Sequence, residues 1–477
     1  MFRIRIHHCF TAMSLFLAIA GCKAPAVVVR EENKAVPVSY ESNSDTTNTA
    51  ALPWRSFFKD PALVNLIDTA LKNNQELMIT LQEIEIARND IRVRQGALLP
   101  MVGAKAGIGL EKVGRYTSQG AGDASTDIEP GKEMPDPLGD FNIGVFANWE
   151  VDIWKKLRNS KQAAIDRFLS TVEGKNFVLT NLIAEIANSY YELVALDNQL
   201  NIVKQNIALQ QNALGVVKVQ KEAARATELA VKKFEAEVLK SQSMEFEIRQ
   251  QVKEAENRIN FLLGRYPQEI PRDQSRYEDL LPATVSTGIP SQLLANRPDI
   301  KQAELELEAA KLDVKVARKE FYPSLDISAG LGLQAFKPSY LVKMPESILY
   351  SIAGDLAAPL INRNAIKAEY NTANAKQLQA VYNYERTILN AYLEVSNQLS
   401  NISNLTKSYD LKSQQVDALT RSIDIANDLF RNARADYLEV LMTQRDVLEA
   451  KLELIETKKK QLNAAVNVYR DLGGGWR

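Results

Sequence analysis

The side chains that most often carry out catalysis or bind metals are found only at the start of this chain. The 477-residue sequence has two histidines, His7 and His8, and two cysteines, Cys9 and Cys22. Imidazole and thiolate groups supply general bases, nucleophiles and zinc ligands, so their position limits which reactions a protein can catalyse. Here all of them lie within, or directly after, a segment that has the pattern of a signal peptide.

The signal pattern consists of a basic start, Met1–Arg5, and an apolar core, Phe10–Ala20. It closes with Ile19-Ala20-Gly21-Cys22, which resembles the bacterial lipobox, where the chain is cut before the cysteine and the cysteine is acylated. The sequence therefore predicts lipidation at Cys22. The alternative is a cysteine that happens to end an ordinary signal peptide.

Cleavage before Cys22 would leave a mature chain without histidine and, after lipidation, without a free thiol. It would exclude zinc sites built on His or Cys, histidine bases, Ser-His-Asp triads and cysteine nucleophiles. The sequence has no Gly-rich phosphate-binding motif. Its net charge of −1 gives no basic excess for nucleic acid. We therefore predict that the protein is not an enzyme and has no cofactor and no metal site.

Two stretches carry an apolar residue at every seventh position. A repeat of 3.5 residues lies below the helical 3.6, so both stretches are predicted to form long helices that supercoil left-handedly, each roughly 100 Å long. Each is preceded by alternating segments and followed by a turn and a returning helix, which indicates an internal duplication. The two runs are Ile165, Val172, Leu179, Ile186, Leu193, Leu200, Ile207 and Leu214, and Val381, Ile388, Val395, Ile402, Tyr409, Val416, Ile423 and Phe430.

The segments before the long helices alternate with a period of two. Val102–Leu110, Phe141–Ile153, Leu325–Ala335 and a strand at about 348–360 show the length and the apolar–polar alternation of outer-membrane strands. Trp149 and Trp154 are predicted to lie at the membrane–water interface, as girdle aromatics do. Packing of these tryptophans in a soluble core is the alternative.

Four such strands cannot close a membrane barrel, because spanning barrels need about eight, and an open sheet edge cannot survive in lipid. Either several chains share one barrel, or the strands are not in a membrane. The two long helices and their returning partners carry two apolar seams and a polar third face, which suits a hollow cylinder. Together these features point to a ring of subunits in which a β-barrel is stacked on a helical tube.

Several motifs resemble the TolC-type outer-membrane efflux factors, and especially their lipoprotein branch, typified by OprM (the NodT group). The resemblance covers nearly all of the mature chain. It implies a mostly α fold with a small β part, in which a homotrimer forms a shared transmembrane β-barrel and a periplasmic α-barrel. It also implies a passive channel in the outer membrane, whose partners are a periplasmic adaptor (membrane fusion protein) and an inner-membrane transporter, usually of the RND class. The motifs are Trp54 with Phe57-Phe58-Lys59-Asp60-Pro61, Trp149–Trp154, Gly288–Ser291 with Arg297-Pro298-Asp299-Ile300, and Tyr469–Trp476.

With this resemblance, the chain divides into ten predicted segments. These are a signal peptide (1–21), a lipidated N-terminal tether (22–60), a helix (61–99), the first transmembrane strand pair (100–153), the first long helix and returning helix (154–264), an equatorial segment (265–290), a helix (291–322), the second strand pair (323–362), the second long helix and returning helix (363–472), and a C-terminal tail (473–477).

The resemblance also suggests a periplasmic gate. Ala426–Arg431 is similar to the family segment in which a ring of Asp narrows the tunnel, so Asp428 matches that ring and Asp424 lies one turn earlier. Arg431 and Tyr437 are the candidate latch residues. Without the resemblance, the two carboxylates would be an ordinary solvated pair. The glycine that is usual at the family's tips is absent: Asn432 stands at one turn, and Ala223 or Ala224 at the other.

The leading functional prediction is the exit duct of a tripartite efflux pump for drugs or other small molecules. A duct for type I protein secretion is a second possibility. Metal-ion efflux is a third, but the mature chain offers no ligand cluster in its favour. A structural coiled-coil lipoprotein of the envelope would explain the heptads and Cys22, but not the four alternating strands.

Overall fold

The computed structural model describes residues 30–40, 46–272, 277, 286–361, 363–432 and 434–476. The predicted signal peptide and Cys22 lie outside these residues. In chain order the helices are α1 (Trp54–Phe57), α2 (Pro61–Asn73), α3 (Gln75–Gly96), α4 (Ser118–Asp123), α5 (Lys156–Glu222), α6 (Glu228–Leu262), α7 (Ser291–Asn296), α8 (Pro298–Lys319), α9 (Asn364–Arg431) and α10 (Tyr437–Asp471). The strands are β1 (Met101–Glu111), β2 (Asp127–Glu129), β3 (Lys132–Glu133), β4 (Leu138–Glu150), β5 (Ser324–Ala335) and β6 (Ile348–Ala357).

The fold is mostly helical with a small β part, as the sequence predicts. The heptad stretches form α5, of 67 residues, and α9, of 68 residues. Each is followed by a returning helix of 35 residues, α6 or α10. The two halves repeat the same order of elements: a helical segment, two strands, a long helix and its partner.

The helical segment at the start of each half is broken where the sequence suggested one continuous helix. Asn74 separates α2 from α3; its side chain accepts a hydrogen bond from the Leu77 N–H and donates one to the carbonyl of Leu262. In the second half Arg297 separates α7 from α8, because a residue before proline disfavours the helical conformation. A periodicity search misses both breaks, since the apolar spacing continues through them.

The chain divides into two compact units. One contains Glu85–Leu169 and Leu305–Val381, and therefore all of the strands. The other contains Glu32–Ile84, Ser170–Glu304 and Tyr382–Arg477. Its hydrophobic core is made by α1, α2, α5, α6 and α10, with Ile186, Leu193 and Ile259 almost fully buried.

The main sheet is antiparallel, with the strand order β1-β4-β5-β6. Its register places alternate residues on opposite faces. One face is apolar, and the other combines glycine with polar and charged residues. The apolar face carries Val102, Ile108, Phe141, Ile143, Val145, Trp149, Leu325, Ile327, Leu331, Leu333, Tyr350, Ile352 and Leu356.

A loop between β1 and β4 contains α4 and the two-stranded β2–β3 hairpin. Among the described helices, none combines the length and the apolar composition that a helix needs to cross a bilayer.

Candidate functional site

The turns that end the two long helices have closely similar sequences. Ala224-Arg225-Ala226-Thr227 follows α5, and Ala433-Arg434-Ala435-Asp436 follows α9. Thr227 is the N-cap of α6, where its hydroxyl accepts a hydrogen bond from the Ala230 N–H at 3.2 Å. Asp436 occupies the same position before α10. We call these two turns the hairpin tips.

The first tip is closed by an alanine in the left-handed conformation, Ala224, with φ of 56°. Its N–H bonds to the carbonyl of Lys221, and the N–H of Arg225 reaches back to the carbonyl of Gln220 at 2.8 Å. This pair of bonds is a Schellman motif, whose left-handed position usually carries glycine. The position that the sequence left open between Ala223 and Ala224 is therefore Ala224.

The second tip has the same long hydrogen bond, from Arg434 N–H to the carbonyl of Leu429 at 2.8 Å. Asn432 is not its left-handed residue. Instead its backbone N–H and its side-chain amide both donate to the carbonyl of Asp428, at 3.2 and 2.8 Å, so Asn432 extends the last helical turn. Its suggested role as the replacement for the tip glycine is therefore wrong.

Apolar side chains from both hairpins pack together just behind the tips. Val217, Ala230, Val231 and Phe234 of the first hairpin are buried with Leu441 of the second. Phe430 and Tyr437 are half-buried against this tip cluster. The tips of the two hairpins are thus joined by a shared core.

The predicted gate residues occupy different surroundings. Asp424 and Asp428 are both exposed on α9, one helical turn apart. Asp424 forms no ion pair with any described residue. Tyr437 packs in the tip cluster, and its hydroxyl has no hydrogen-bond partner in the described part of the chain. The side chain of Arg431 lies outside the described residues. The structure therefore places Tyr437 against the tip cluster and in no described hydrogen bond with either carboxylate.

Trp149 and Trp154 lie where the strands join the helices. Both indole rings are partly exposed. The N–H of Trp149 donates to the carbonyl of Leu98 at 3.1 Å, and that of Trp154 donates to the carbonyl of Pro323 at 2.7 Å. Each indole thus has a satisfied polar end and an accessible apolar ring.

The polar face of the sheet carries a row of carboxylates on three neighbouring strands. Glu150 pairs in register with Asp326, and Asp326 pairs with Asp355. Like charges directly opposite each other destabilise a sheet. The ammonium of Lys156 lies 2.6 Å from Glu150. Burial lowers the pKa of Lys156, but the bonds to Glu150 and Glu320 outweigh this and leave the pKa raised.

Two of the motifs that suggested the family meet in the helical unit. The Arg297 guanidinium binds both oxygens of Asp299, at 2.9 and 2.6 Å, and a carboxylate oxygen of Glu394 at 2.8 Å. Burial lowers the pKa of Arg297, but these carboxylates more than compensate and raise it. Gly473 lies against the carbonyl of Asn296, where a Cβ would approach to 2.6 Å, and its φ is 86°.

The N-terminal segment also packs on the helical unit. Tyr40 is buried and stacks on Tyr392, with ring centroids 5.6 Å apart. Lys34 forms an ion pair with Glu304 at 2.7 Å. Within residues 30–40, the predicted tether thus contacts the helices at both Lys34 and Tyr40. Within the described residues, no group of at least three His, Cys, Asp or Glu side chains is arranged to hold a metal ion.

Long paired helices joined at their tips, together with a two-faced sheet, define a channel-forming protein of the outer-membrane type. The model of the outer membrane efflux protein family matches residues 66–265 and 289–474. The chain belongs to this family. It is an outer-membrane efflux channel that works with further components of a pump. Members of the family are channels and not enzymes.

Characterised relatives are similar over most of their length. The pyoverdine export outer membrane protein OpmQ of Pseudomonas aeruginosa is 28% identical over 89% of this chain and 87% of that protein. The cation efflux system protein CusC of Escherichia coli is 26% identical, with 97% of each chain covered. The toluene efflux pump protein TtgI of Pseudomonas putida is 26% identical, with 98% of each covered.

Solved structures have the same fold. A crystal structure of CusC superimposes with a TM-score of 0.82, at 24% identity, and covers 95% of this chain and 99% of that chain. The open state of the Neisseria gonorrhoeae MtrE channel gives 0.82 at 21% identity, with coverage of 95% and 98%. These likenesses confirm the fold class.

Proposed function

We propose that three copies of this chain form one channel, in which each copy contributes the sheet β1-β4-β5-β6. The observation that carries this proposal is the sheet itself. It has one apolar face, and its outer strands β1 and β6 have no further partner within the described chain. An unpaired edge is too costly in lipid, so β1 of one copy pairs with β6 of the next. Three copies supply about twelve strands, which closes a barrel.

The apolar face then contacts lipid, and the polar face lines the passage. Trp149 and Trp154 lie at the periplasmic membrane–water interface of the outer membrane, where an indole with a satisfied N–H and an exposed ring is most stable. Lipidation at Cys22 anchors the tether, and the packing of Tyr40 and Lys34 holds the tether on the helices. These assignments account for the exposed rings and for the bound N-terminal segment.

The hairpin tips form the periplasmic entrance. Asp424 and Asp428 project from exposed positions on α9, so three-fold symmetry brings six carboxylates around the entrance. Such a ring attracts cations and repels itself, which makes it suitable as a gate that a partner opens. Arg431 remains a candidate latch. Tyr437 acts on the gate through the tip cluster, because both Tyr437 and Phe430 of α9 pack against that cluster.

The partners are a periplasmic adaptor, which docks at the tips, and an inner-membrane transporter of the RND type, which supplies the energy. The chain itself is passive. Its cargo is a drug or another small molecule, in keeping with the relatives that export pyoverdine, toluene or cations. Export of protein substrates and a purely structural envelope role are not favoured, since these relatives are efflux or export proteins.

Single-channel conductance of the purified oligomer in planar bilayers tests this function. The wild type is expected to give small, cation-selective openings. Asp424→Ala/Asp428→Ala should widen them, while the control Asp90→Ala on α3 should not. A conducting wild type with an unchanged double variant would rule out the gate and keep the channel. A folded oligomer that never conducts, even with its adaptor, would rule out the channel.

A further inference from the structure

The polar face of the sheet contains a cavity of about 570 Å³. Its floor is formed by glycines: Gly144 and Gly332 pair directly, and Gly330 adjoins them. A Cβ on Gly332 would lie 2.5 Å from the carbonyl oxygen of Ile143, so this position cannot carry a side chain without moving the backbone. The side chains around the floor are Lys105, Asn142, Phe146, Gln334, Leu349 and Ser351.

The cavity stays open because the two largest side chains beside it cover glycines of β1 and not the glycines of its floor. The ring of Phe146 lies over Gly103, where a Cβ would approach it to 2.6 Å, and the amide of Asn142 lies over Gly107 in the same way. Both side chains therefore lean towards β1, away from the paired glycines. The glycine floor is therefore a depression that is bounded by polar side chains and by an aromatic ring.

Lys105 is the cation of this depression. It stands opposite Gly144 in register and is exposed. It forms no ion pair with any residue that the structure describes. Its neighbours on the same face are glycines, the amide of Asn142 and the ring of Phe146. The carboxylates Glu150, Asp326 and Asp355 lie nearer the helical end of the strands. Asp140 lies on the far side of Asn142, opposite Gly109, and accepts hydrogen bonds from the amides of Asn142 and Gln334. An unpaired ammonium beside an aromatic ring suits a ligand that combines an anionic group with a flat apolar group.

We propose that this cavity is a transient contact site for organic anions that carry a flat apolar group, with Lys105 binding the anionic group and Phe146 the flat group. The volume lies within the range of about 300–1,000 Å³ that small-molecule sites occupy. Ser351 can bond to polar substituents, whereas the amides of Asn142 and Gln334 already donate to Asp140. The site gives an anion a favourable contact in a passage otherwise lined by carboxylates. The proposal rests on the proposed function, in which the polar face lines the channel.

A reporter in the cavity wall tests the proposal. Phe146→Trp places an indole beside Lys105, and 3-nitrobenzenesulfonate is a flat anion that quenches indole emission. Titration of the detergent-solubilised oligomer should give saturable quenching beyond that of the parent protein. Lys105→Gln in the Phe146→Trp background should weaken binding by about tenfold or more, since a charge-assisted bond is lost. Lys343→Gln, an exposed cation in the β5–β6 loop, should leave it unchanged.

Two further comparisons make the result decisive. Ser351→Phe fills the cavity without changing the charge, and it should abolish binding. The neutral 3-nitrobenzyl alcohol should bind at least several-fold more weakly than the sulfonate. Equal affinity for the sulfonate and the alcohol would overturn the proposal. So would equal affinity for the sulfonate with and without Lys105→Gln in the Phe146→Trp background, or quenching that never saturates.

Single-channel recording separates this inference from the proposed function. In a conducting oligomer the sulfonate should cause brief current blocks that Lys105→Gln removes. Conductance without saturable quenching would disprove the site and leave the channel intact. Saturable, Lys105-dependent quenching in a protein that does not conduct would support the site and count against the channel.

Discussion

The guanidinium of Arg297 donates a hydrogen bond of 2.8 Å to the backbone carbonyl of Asp471, and this bond joins the start of α8 to the end of α10. The Arg297 side chain is only 7% exposed. All of its described partners are acceptors: Asp299, Glu394 and this carbonyl. This buried hydrogen-bonded joint fixes the last helical turn of α10 against the start of α8.

Replacement of Arg297 by Ala should therefore destabilise the protein strongly. It would leave Asp299 and the Asp471 carbonyl without their donor in a buried setting, at a cost of about 3–5 kcal/mol. Arg297→Lys keeps the charge but loses the planar guanidinium, so it should lower the free energy of unfolding less than Arg297→Ala does. The free energy of unfolding of the solubilised oligomer, measured by denaturant titration, checks this.

Arg258→Ala is the matched control. Arg258 pairs with Glu185 at 3.2 Å, and its side chain is 57% exposed. Exposed pairs contribute about 0–1 kcal/mol. Equal losses in the Arg297 and Arg258 variants would show that the buried joint contributes nothing special.

The carboxyl of Asp471 leads to a prediction about pH. Burial raises its pKa, and the neighbouring Arg470 only partly opposes this. One carboxyl oxygen, Oδ2, has no hydrogen-bond partner among the described residues. Because the folded-state pKa lies above the unfolded value of 3.8, this group weakens the folded state as the pH rises from that value through the raised pKa.

Asp471→Asn removes that titration. The variant should gain stability relative to the wild type at neutral pH, and the gain should shrink towards pH 4. Melting temperatures of both proteins, taken across this range, give the difference directly. The opposite result would be a stability difference between variant and wild type that becomes less favourable to the variant as the pH rises from 4 to neutral. It would mean that the Arg470 ion pair outweighs the cost of burial.

The left-handed Ala224 carries a strain that glycine would relieve. The left-handed conformation costs a residue with a Cβ about 1–2 kcal/mol, while glycine loses about 0.5–1 kcal/mol in chain entropy. Ala224→Gly should therefore stabilise the first tip by up to about 1.5 kcal/mol. Ala223, one residue earlier, has no positive φ, so Ala223→Gly should destabilise the first tip.

Hydrogen exchange of the amides between Val219 and Val231 measures this effect locally. Exchange should slow in Ala224→Gly and quicken in Ala223→Gly. Faster exchange in both variants would indicate that the strain is balanced by contacts of the alanine methyl group.

The long helices and the strands were predictable because their periods of 3.5 and 2 are written locally in the sequence. The break at Asn74 was not, since the cap depends on the carbonyl of Leu262, far along the chain. The conformation of Ala224 was open for a different reason: alanine has no preference for a left-handed turn, and only the closure of the hairpin imposes it.

The candidate gate shows the same division. The exposure of Asp424 and Asp428 follows from their place on the polar side of the heptads. The packing of Tyr437 against the tip cluster does not, because it depends on how two hairpins from different halves of the chain meet. The repeated Ala-Arg-Ala motif of the tips was a usable signal, visible when the two halves are aligned.

The carboxylate row of Glu150, Asp326 and Asp355 is expected to set the ion selectivity of the membrane passage. Three carboxylates in register on neighbouring strands cost the sheet about 0.2–1 kcal/mol for each like-charged pair, so Asp326→Asn should raise stability. The same row, repeated around a closed barrel, would favour cations as acidic rings do in other channels.

Asp326→Asn/Asp355→Asn should therefore lose roughly half of the reversal potential that the wild type shows across a potassium chloride gradient. Asp127→Asn, in the loop between β1 and β4, is the control and should leave it unchanged. The expected pattern differs from that of the gate, since the Asp424 and Asp428 variants change mainly the conductance. A more stable sheet with unchanged selectivity would mean that these carboxylates do not face the ion path.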